Sequence, residues 1–252
     1  CIRDRSGDLV VDAMDLSDLA SVKTYAASVA AREPKLDLLI NNAGIMACPE
    51  TRIGPQWESQ CAVNQLGHFV LTDGLLSSLL AANRARVVCL SSIAHRMSDI
   101  RWDDIHFTRE PYEKWAAYGQ AKTANALFAL ALDMKFSDQG LRAFSVHPGG
   151  IMTPLQRHLP QEEMQALGWL DENGDISERV KAMFKSPTQG CTTSLWAATS
   201  AALDEVGGLY CEDCDVADLA TDDSPRYRDV SAHAVNEESA LRLWGVTEAM
   251  LA

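Results

Sequence analysis

The chain has 252 residues, 47% of them hydrophobic and 23% charged, which is globular material with enough apolar content for one sizeable core read as a single domain over 1–252. A net charge of -13, with 22 Lys and Arg that form no basic run, argues against a nucleic-acid or anionic-membrane partner. No apolar stretch reaches the roughly 18 residues a bilayer span requires, and no signal peptide opens the sequence.

In chain order, Leu9 to Met14 is a short apolar run read as a strand that ends at Asp15-Leu16. Ser17 or Asp18 caps a helix whose apolar face carries Leu19, Val22, Tyr25, Ala26 and Val29, and Pro34 stops it. Leu36 to Ile40 reads as a strand buried on both faces, followed at once by Asn41-Asn42-Ala43-Gly44. A second helix is expected from about Pro55 to Asn83, with Trp57, Cys61, Val63, Leu66 and Phe69 inward and Asn64 well inside it. Val87 to Leu90 is the next buried strand and delivers Ser91-Ser92. A polar segment with Trp102, Ile105, His106, Phe107 and Trp115 leads to a helix over Trp115 to Lys135. Leu141 to Val146 is a further strand, ending in His147-Pro148-Gly149-Gly150, with Thr153 just beyond. Ser186-Pro187 starts a helix through Trp196, Gly207-Gly208 begins the last strand, and Asn236 to Ala252 is a final amphipathic helix.

Alternating buried strands and helices with short connections give an α/β doubly wound parallel sheet, Rossmann-like. Ligands of such sheets bind outside the carboxyl ends of the strands, where Asp15, Asn42, Ser92 and Pro148 fall. Seven scattered cysteines, an odd number, suggest reduced thiols in a cytoplasmic protein. Cys211 and Cys214 form the one close pair, and no residues have metal-ligand spacing.

The stretch Tyr118-Gly-Gln-Ala-Lys122 places a phenol and an ammonium one helical turn apart, facing the same way. A cation at roughly 5 Å favours a phenolate by about 3 kcal/mol at an effective dielectric near 20, roughly two pK units. The spacing alone also fits a solvated helix face. As chemistry, it suits proton exchange with an alcohol or carbonyl oxygen.

Asn41-Asn42-Ala43-Gly44, Asn64, Ser92, Tyr118-x-x-x-Lys122, and Pro148-Gly149 with Thr153 occur in this order, and in this pattern the chain resembles the short-chain dehydrogenases/reductases. The wording Asn64-Gln-Leu-Gly-His-Phe, Ser91-Ser92-Ile-Ala-His and Tyr118-Gly-Gln-Ala-Lys-Thr-Ala-Asn is closest to the branch of retinol dehydrogenases and the WW-domain oxidoreductase. The resemblance implies that Tyr118 is the acid-base group and that Ser92, supported by Ser91, hydrogen-bonds the substrate oxygen. Lys122 would hold the nicotinamide ribose and lower the phenol's pKa, and Asn64 would position a water linking Lys122 to solvent. Asn42, Ala43 and Gly44 would run beside the adenosine ribose and phosphates, Asp15-Leu16 would meet the adenine, and Pro148, Gly149 and Thr153 would fix the carboxamide. NADP is the implied cofactor, with NAD possible, and a homodimer or homotetramer is the implied assembly.

One departure is large. The family opens with a strand and a Gly-rich turn that holds the pyrophosphate, and neither Gly149-Gly150 nor Gly207-Gly208 has that spacing. Cys1 to Gly7 resembles the end of the family's second helix, so the sheet is expected to be N-terminally incomplete in this chain and the 252 residues part of a longer polypeptide. The segment 154–187, with Leu155, Leu159, Met164, Trp169 and Phe184, is expected to close over a lipophilic alcohol or ketone; Trp102, Ile105, Phe107 and Trp115 either line that pocket or form loop core. Two alternatives stay open: a non-catalytic binding or scaffold protein derived from this family, and a serine hydrolase built on Ser92, which lacks a Gly-x-Ser-x-Gly elbow.

Overall fold

The computed structural model describes residues 8–252. Helix α1, Leu19–Arg32, is capped by the Asp18 carboxylate, which accepts from the Ala20 N–H at 3.0 Å. Strand β1, Leu38–Asn41, follows, and then a two-residue hairpin of β2, Arg52–Ile53, and β3, Trp57–Glu58. Helix α2, Ser59–Cys61, continues through a π turn, Ala62–Leu66, into α3, Gly67–Ala81. Strand β4, Ala85–Leu90, leads through a 3₁₀ turn, Ile93–Met97, to the long helix α4, Lys114–Phe136, and then to β5, Leu141–His147. Beyond lie α5, Gln161–Ala166; α6, Glu178–Met183; α7, Pro187–Gly190; and α8, Thr192–Thr199. The chain closes with β6, Leu209–Glu212; β7, Asp215–Val216; and α9, Glu237–Leu251.

The sheet runs β1-β4-β5-β6-β7, with the first four strands parallel and β7 antiparallel. Alternate residues of the central strands serve opposite faces, because successive side chains point to opposite sides. Val87, Cys89, Leu141 and Ala143 pack with α1, α3, α4 and α9 in one core. Val88, Leu90, Phe144 and Val146 pack with Trp196 and Ala197 of α8 on the other face. This is the expected mostly parallel α/β sheet with helices on both sides, and its apolar strands are continuous because both faces are covered. The parallel register pairs Asn41 with Cys89, Leu90 with Val146 and His147 with Glu212, so the carboxyl ends of β1, β4, β5 and β6 finish at one edge.

Three expectations change. Leu9 to Met14 is irregular, not a strand: Leu9, Val10 and Val11 are exposed, and no neighbouring strand offers them a ladder, so local β propensity has nothing to act on. The second helix begins at Ser59 rather than Pro55. Gln56, at φ 82, turns left-handed, Trp57 pairs with Ile53, and the buried Glu58 carboxylate caps the helix by accepting from the Gln60 and Cys61 N–H groups at 2.8 and 2.7 Å. Trp57 matched the helical period while belonging to the hairpin. Strand β1 is less covered than expected, with Ile40 37% exposed at the sheet's edge. The reading of Cys1 to Gly7 as a helix end lies outside the described residues.

Helix α9 lies across α4, where Trp244 stacks on Phe128 at 6.0 Å and meets Phe69 edge-on at 4.8 Å. The apolar face of α4 therefore finds its cover within the chain. Among the described residues no helix is long and apolar enough to cross a membrane, and no group of three or more His, Cys, Asp or Glu is placed to hold a metal.

Leu127 of α4 is fully buried in the main core. Leu127→Ala should lower unfolding stability by about 2–5 kcal/mol in a denaturant titration, through lost transfer energy and a residual cavity. An unchanged midpoint would contradict this packing.

Candidate active site

Four chain segments meet at the carboxyl edge of the sheet. The Glu113 carboxylate caps α4, accepting from the Trp115 N–H at 3.0 Å and from the Ala116 N–H, and so sets where the first turns lie. The second turn carries Tyr118 and the third Lys122, both buried. Gly119 between them lets the helix touch the turn after β4: a Cβ there would come within 2.7 Å of the Ala94 carbonyl and 3.1 Å of Met97 Cβ. Only a residue without a side chain brings Tyr118 this close to the Ser92 turn.

The Lys122 ammonium donates to the Leu90 carbonyl at 2.9 Å, tying α4 to the last residue of β4, and lies 5.6 Å from the Tyr118 ring centroid. Asn125 Nδ2 donates to the same carbonyl at 2.8 Å. Ser91 Oγ donates to the Lys122 carbonyl at 2.7 Å. The Ser92 hydroxyl accepts from the Ala94 N–H at 3.2 Å and lies beside the Tyr118 phenol.

The third segment is the loop after β1. Asn64 sits in the π turn, an irregularity frequent at functional sites, and is fully buried. Its Oδ1 accepts from the Ile45 N–H and its Nδ2 donates to the Ile45 carbonyl, both at 2.9 Å, so one side chain pins the loop through both amide atoms. At Gly44 a Cβ would lie 3.0 Å from Asn64 Oδ1 and 3.8 Å from Lys122 Nζ, so the loop backbone passes the ammonium closely. The fourth segment follows β5: the Gly149 N–H, in a left-handed residue of φ 90, donates to His147 Nδ1 at 3.4 Å.

The structure thus brings Gly44, Asn64, Ser92, Tyr118 and Lys122 together, with Asn42, Ala43, Pro148 and Gly149 in the adjoining strand-end loops. Thr153 caps a 3₁₀ turn over Pro154–His158 by accepting from the Leu155 N–H at 3.2 Å. Asp15 accepts from the Ser17 N–H and Oγ at 2.8 and 2.7 Å, and Leu16 packs on Gly67. Those contacts place both beside the start of α3.

The electrostatics differ from expectation at Tyr118. Burial pushes the phenol up to about 12, and the neighbouring Ser92 hydroxyl offsets only part of the rise. Burial likewise pulls Lys122 down to about 8, with Cys89 opposing the fall. Desolvation disfavours the charged form of both groups and outweighs their attraction, so the phenol is protonated at neutral pH.

Tyr118 lies under an apolar cluster of Met46, Ala47 and Ala94 with Trp115, Leu155, Leu159, Met164 and Trp169. Leu155, Leu159, Met164 and Trp169 of the segment 154–187 are thus packed in one cluster with Tyr118. Glu163 of α5 fastens the segment, accepting from Trp115 Nε1 at 2.9 Å and pairing with Lys114. Of the four loop candidates, Trp115 joins this cluster, Trp102 and Ile105 pack on the main core, and Phe107 packs on Tyr112 and Arg101. Sequence reasoning missed Met46 and Glu163, which carry no motif. The pairing of His95 with Tyr210, whose rings pack 4.9 Å apart, has no signal in the sequence.

A family model described as short chain dehydrogenase matches residues 2–104. A Streptomyces lividans protein named "Probable oxidoreductase" is 42% identical over 95% of this chain and 79% of its own length. The "Short-chain dehydrogenase/reductase prx1" of Penicillium roqueforti is 37% identical over 94% of this chain and 69% of that protein. "Retinol dehydrogenase 12" of Mus musculus is 36% identical over 96% of this chain and 70% of that protein.

The Lys122 value has a testable consequence. Its folded pKa lies below the ordinary 10.5, so between about 8 and 10.5 the unfolded chain binds more protons and stability rises with pH. Below about 8 the buried ammonium is a destabilising load, while Leu90 O keeps Asn125 as donor if the lysine is lost. Lys122→Met should therefore melt higher than the native protein at pH 7, with the gain shrinking as pH climbs from 8 to 10.5. A gain that grows over that range would contradict the burial account.

Proposed function

The chain belongs to the short-chain dehydrogenase/reductase family, and we propose that it interconverts a lipophilic primary or secondary alcohol and its carbonyl, with Tyr118 as the acid-base group. The family uses nicotinamide dinucleotides, and NADP in preference to NAD is what the retinol dehydrogenase resemblance implies. The observation that carries the reading is the convergence of Tyr118, Ser92, Lys122 and Asn64, drawn from separate elements, on one edge of a parallel sheet.

The residues fit the nicotinamide ribose half of such a cofactor. Among the described residues the Lys122 ammonium has one hydrogen-bond partner, the Leu90 carbonyl, and the Gly44 backbone passes it without a side chain intervening. Lys122 would hold the ribose hydroxyls, Gly149 and Thr153 the carboxamide side, and Asp15-Leu16 and Asn42 to Gly44 the adenosine side. No residue is assigned to the pyrophosphate. When bound, the dinucleotide supplies or accepts the hydride.

Each side chain then has a defined task. Tyr118, protonated at neutral pH, gives its proton to the carbonyl oxygen in reduction, and in oxidation its phenolate form takes one from the alcohol. Ser92 Oγ donates to the same oxygen and orients it. The Lys122 ammonium lessens the cost of the phenolate left behind. Asn64 holds the loop beside Lys122, and its second amide hydrogen stays free for the water relay that the resemblance implies. Met46, Trp115, Leu155, Leu159 and Trp169 around the phenol support an apolar substrate, which excludes water as it enters. A homodimer or homotetramer in the cytoplasm, where the six described cysteines stay free, completes the reading.

Tyr118→Phe keeps the ring and removes the proton. Turnover of a long-chain aldehyde with NADPH should fall by about 10² to 10⁴, while a fluorescence titration shows NADPH still bound. Turnover equal to native in that protein would sink the mechanism.

A further inference from the structure

Behind Ser92 lies a fully buried imidazole, His95, whose two nitrogens are both engaged. The Ser231 backbone N–H points at Nε2 from 2.9 Å. A backbone N–H can only donate, so Nε2 presents a lone pair and carries no proton. The hydrogen therefore sits on Nδ1, which lies 2.8 Å from the Ser92 carbonyl and 3.1 Å from the Tyr210 hydroxyl. The tautomer is fixed by an obligate donor, not chosen.

The backbone of the same residue adds further ties. The His95 carbonyl accepts from Thr123 Oγ1 at 3.1 Å and from His233 Nε2 at 3.0 Å, and Thr123 is the residue after Lys122 on α4. The Ser91 hydroxyl donates to the Lys122 carbonyl at 2.7 Å. The ring thus ties the Ser92 carbonyl, the buried Tyr210 of β6 and the segment at Ser231 together, while the backbone carbonyl of the same residue meets Thr123 on α4.

We infer that His95 is a positioning residue: as the neutral Nδ1–H tautomer set by the Ser231 amide, it holds the Ser92 carbonyl and with it the turn after β4 that carries the Ser92 hydroxyl. The imidazole is well suited to this, since burial keeps its pKa down at about 4 and the ring stays neutral across the physiological range. A side chain that only filled the core would need neither nitrogen in a defined state. Nothing in the proton transfer itself passes through His95. The inference rests on the oxidoreductase reading of Ser92 and Tyr118.

Two substitutions and one spectrum test it in the full-length protein. His95→Leu removes donor and acceptor; His95→Gln can present both. With decanal and NADPH, and rates divided by the sites that bind NADPH, kcat of His95→Leu should fall between about tenfold and a hundredfold, as for a misplaced catalytic group. The deuterium isotope effect on kcat with deuterated NADPH should rise, and His95→Gln should recover most of the rate. A His95→Leu protein with native kcat and isotope effect per binding site would overturn the inference. If that variant does not fold, ¹⁵N spectra of imidazole-labelled native protein decide: a proton on Nδ1 and none on Nε2 from pH 6 to 8 is expected, and an Nε2–H tautomer overturns it. Failure of the oxidoreductase reading would look different, as native protein that binds NADPH and leaves decanal unreduced.

Discussion

A lysine ammonium buried at the end of a parallel strand is the constraint on which this structure turns. Lys122 would not sit in the interior without a partner, and the partner it finds is the Leu90 carbonyl, the last of β4. That bond fixes the rotation of α4 about its axis, and the rotation places Tyr118, one turn earlier, over the Ser92 turn. Gly119 permits the approach and Asn64 brings the β1 loop to the same ammonium. The shared register of β1, β4 and β5 is what makes these neighbours at all, since it ends three strands at one level.

The same burial sets the electrostatic character of the proposed site. A simple view has the ammonium lowering the phenol towards neutrality. In the folded chain both charged forms are disfavoured instead: Tyr118 rises to about 12 and Lys122 falls to about 8. The site is therefore prepared as a proton donor whose conjugate base is expensive. That suits a carbonyl oxygen that gains negative charge during reaction, because the proton is delivered only as that charge develops. The cover formed by Leu155, Leu159 and Trp169 serves the same end by keeping water from the phenol.

Much of this was legible in the residues. The strands at Val87 to Leu90 and Leu141 to Val146 are read correctly because a sheet covered on both faces demands unbroken apolar runs, α1 because Asp18 caps it, and α4 and α9 because their apolar residues keep the helical period. Leu9 to Met14 failed for the converse reason: strand propensity is a statement about packing, and among the described residues no strand lies beside Leu9, Val10 and Val11, which are exposed. Trp57 misled because a hairpin residue happened to match the helical period. The Tyr118 and Lys122 pair was visible as spacing, and Ser92 as a strand end. His95 and Tyr210 were not, since their relation spans β6 and the Ser231 segment, and only the folded chain brings a backbone N–H from position 231 to a ring at position 95.

The central claim is that this edge of the sheet moves a hydride and a proton onto a lipophilic carbonyl. It is tested most directly by incubating the full-length protein with decanal and deuterated NADPH and examining the product by mass spectrometry. The account predicts decanol carrying one deuterium on its carbinol carbon. NADPH bound, with unlabelled aldehyde recovered unchanged from decanal and from other long-chain aldehydes and ketones, would contradict it.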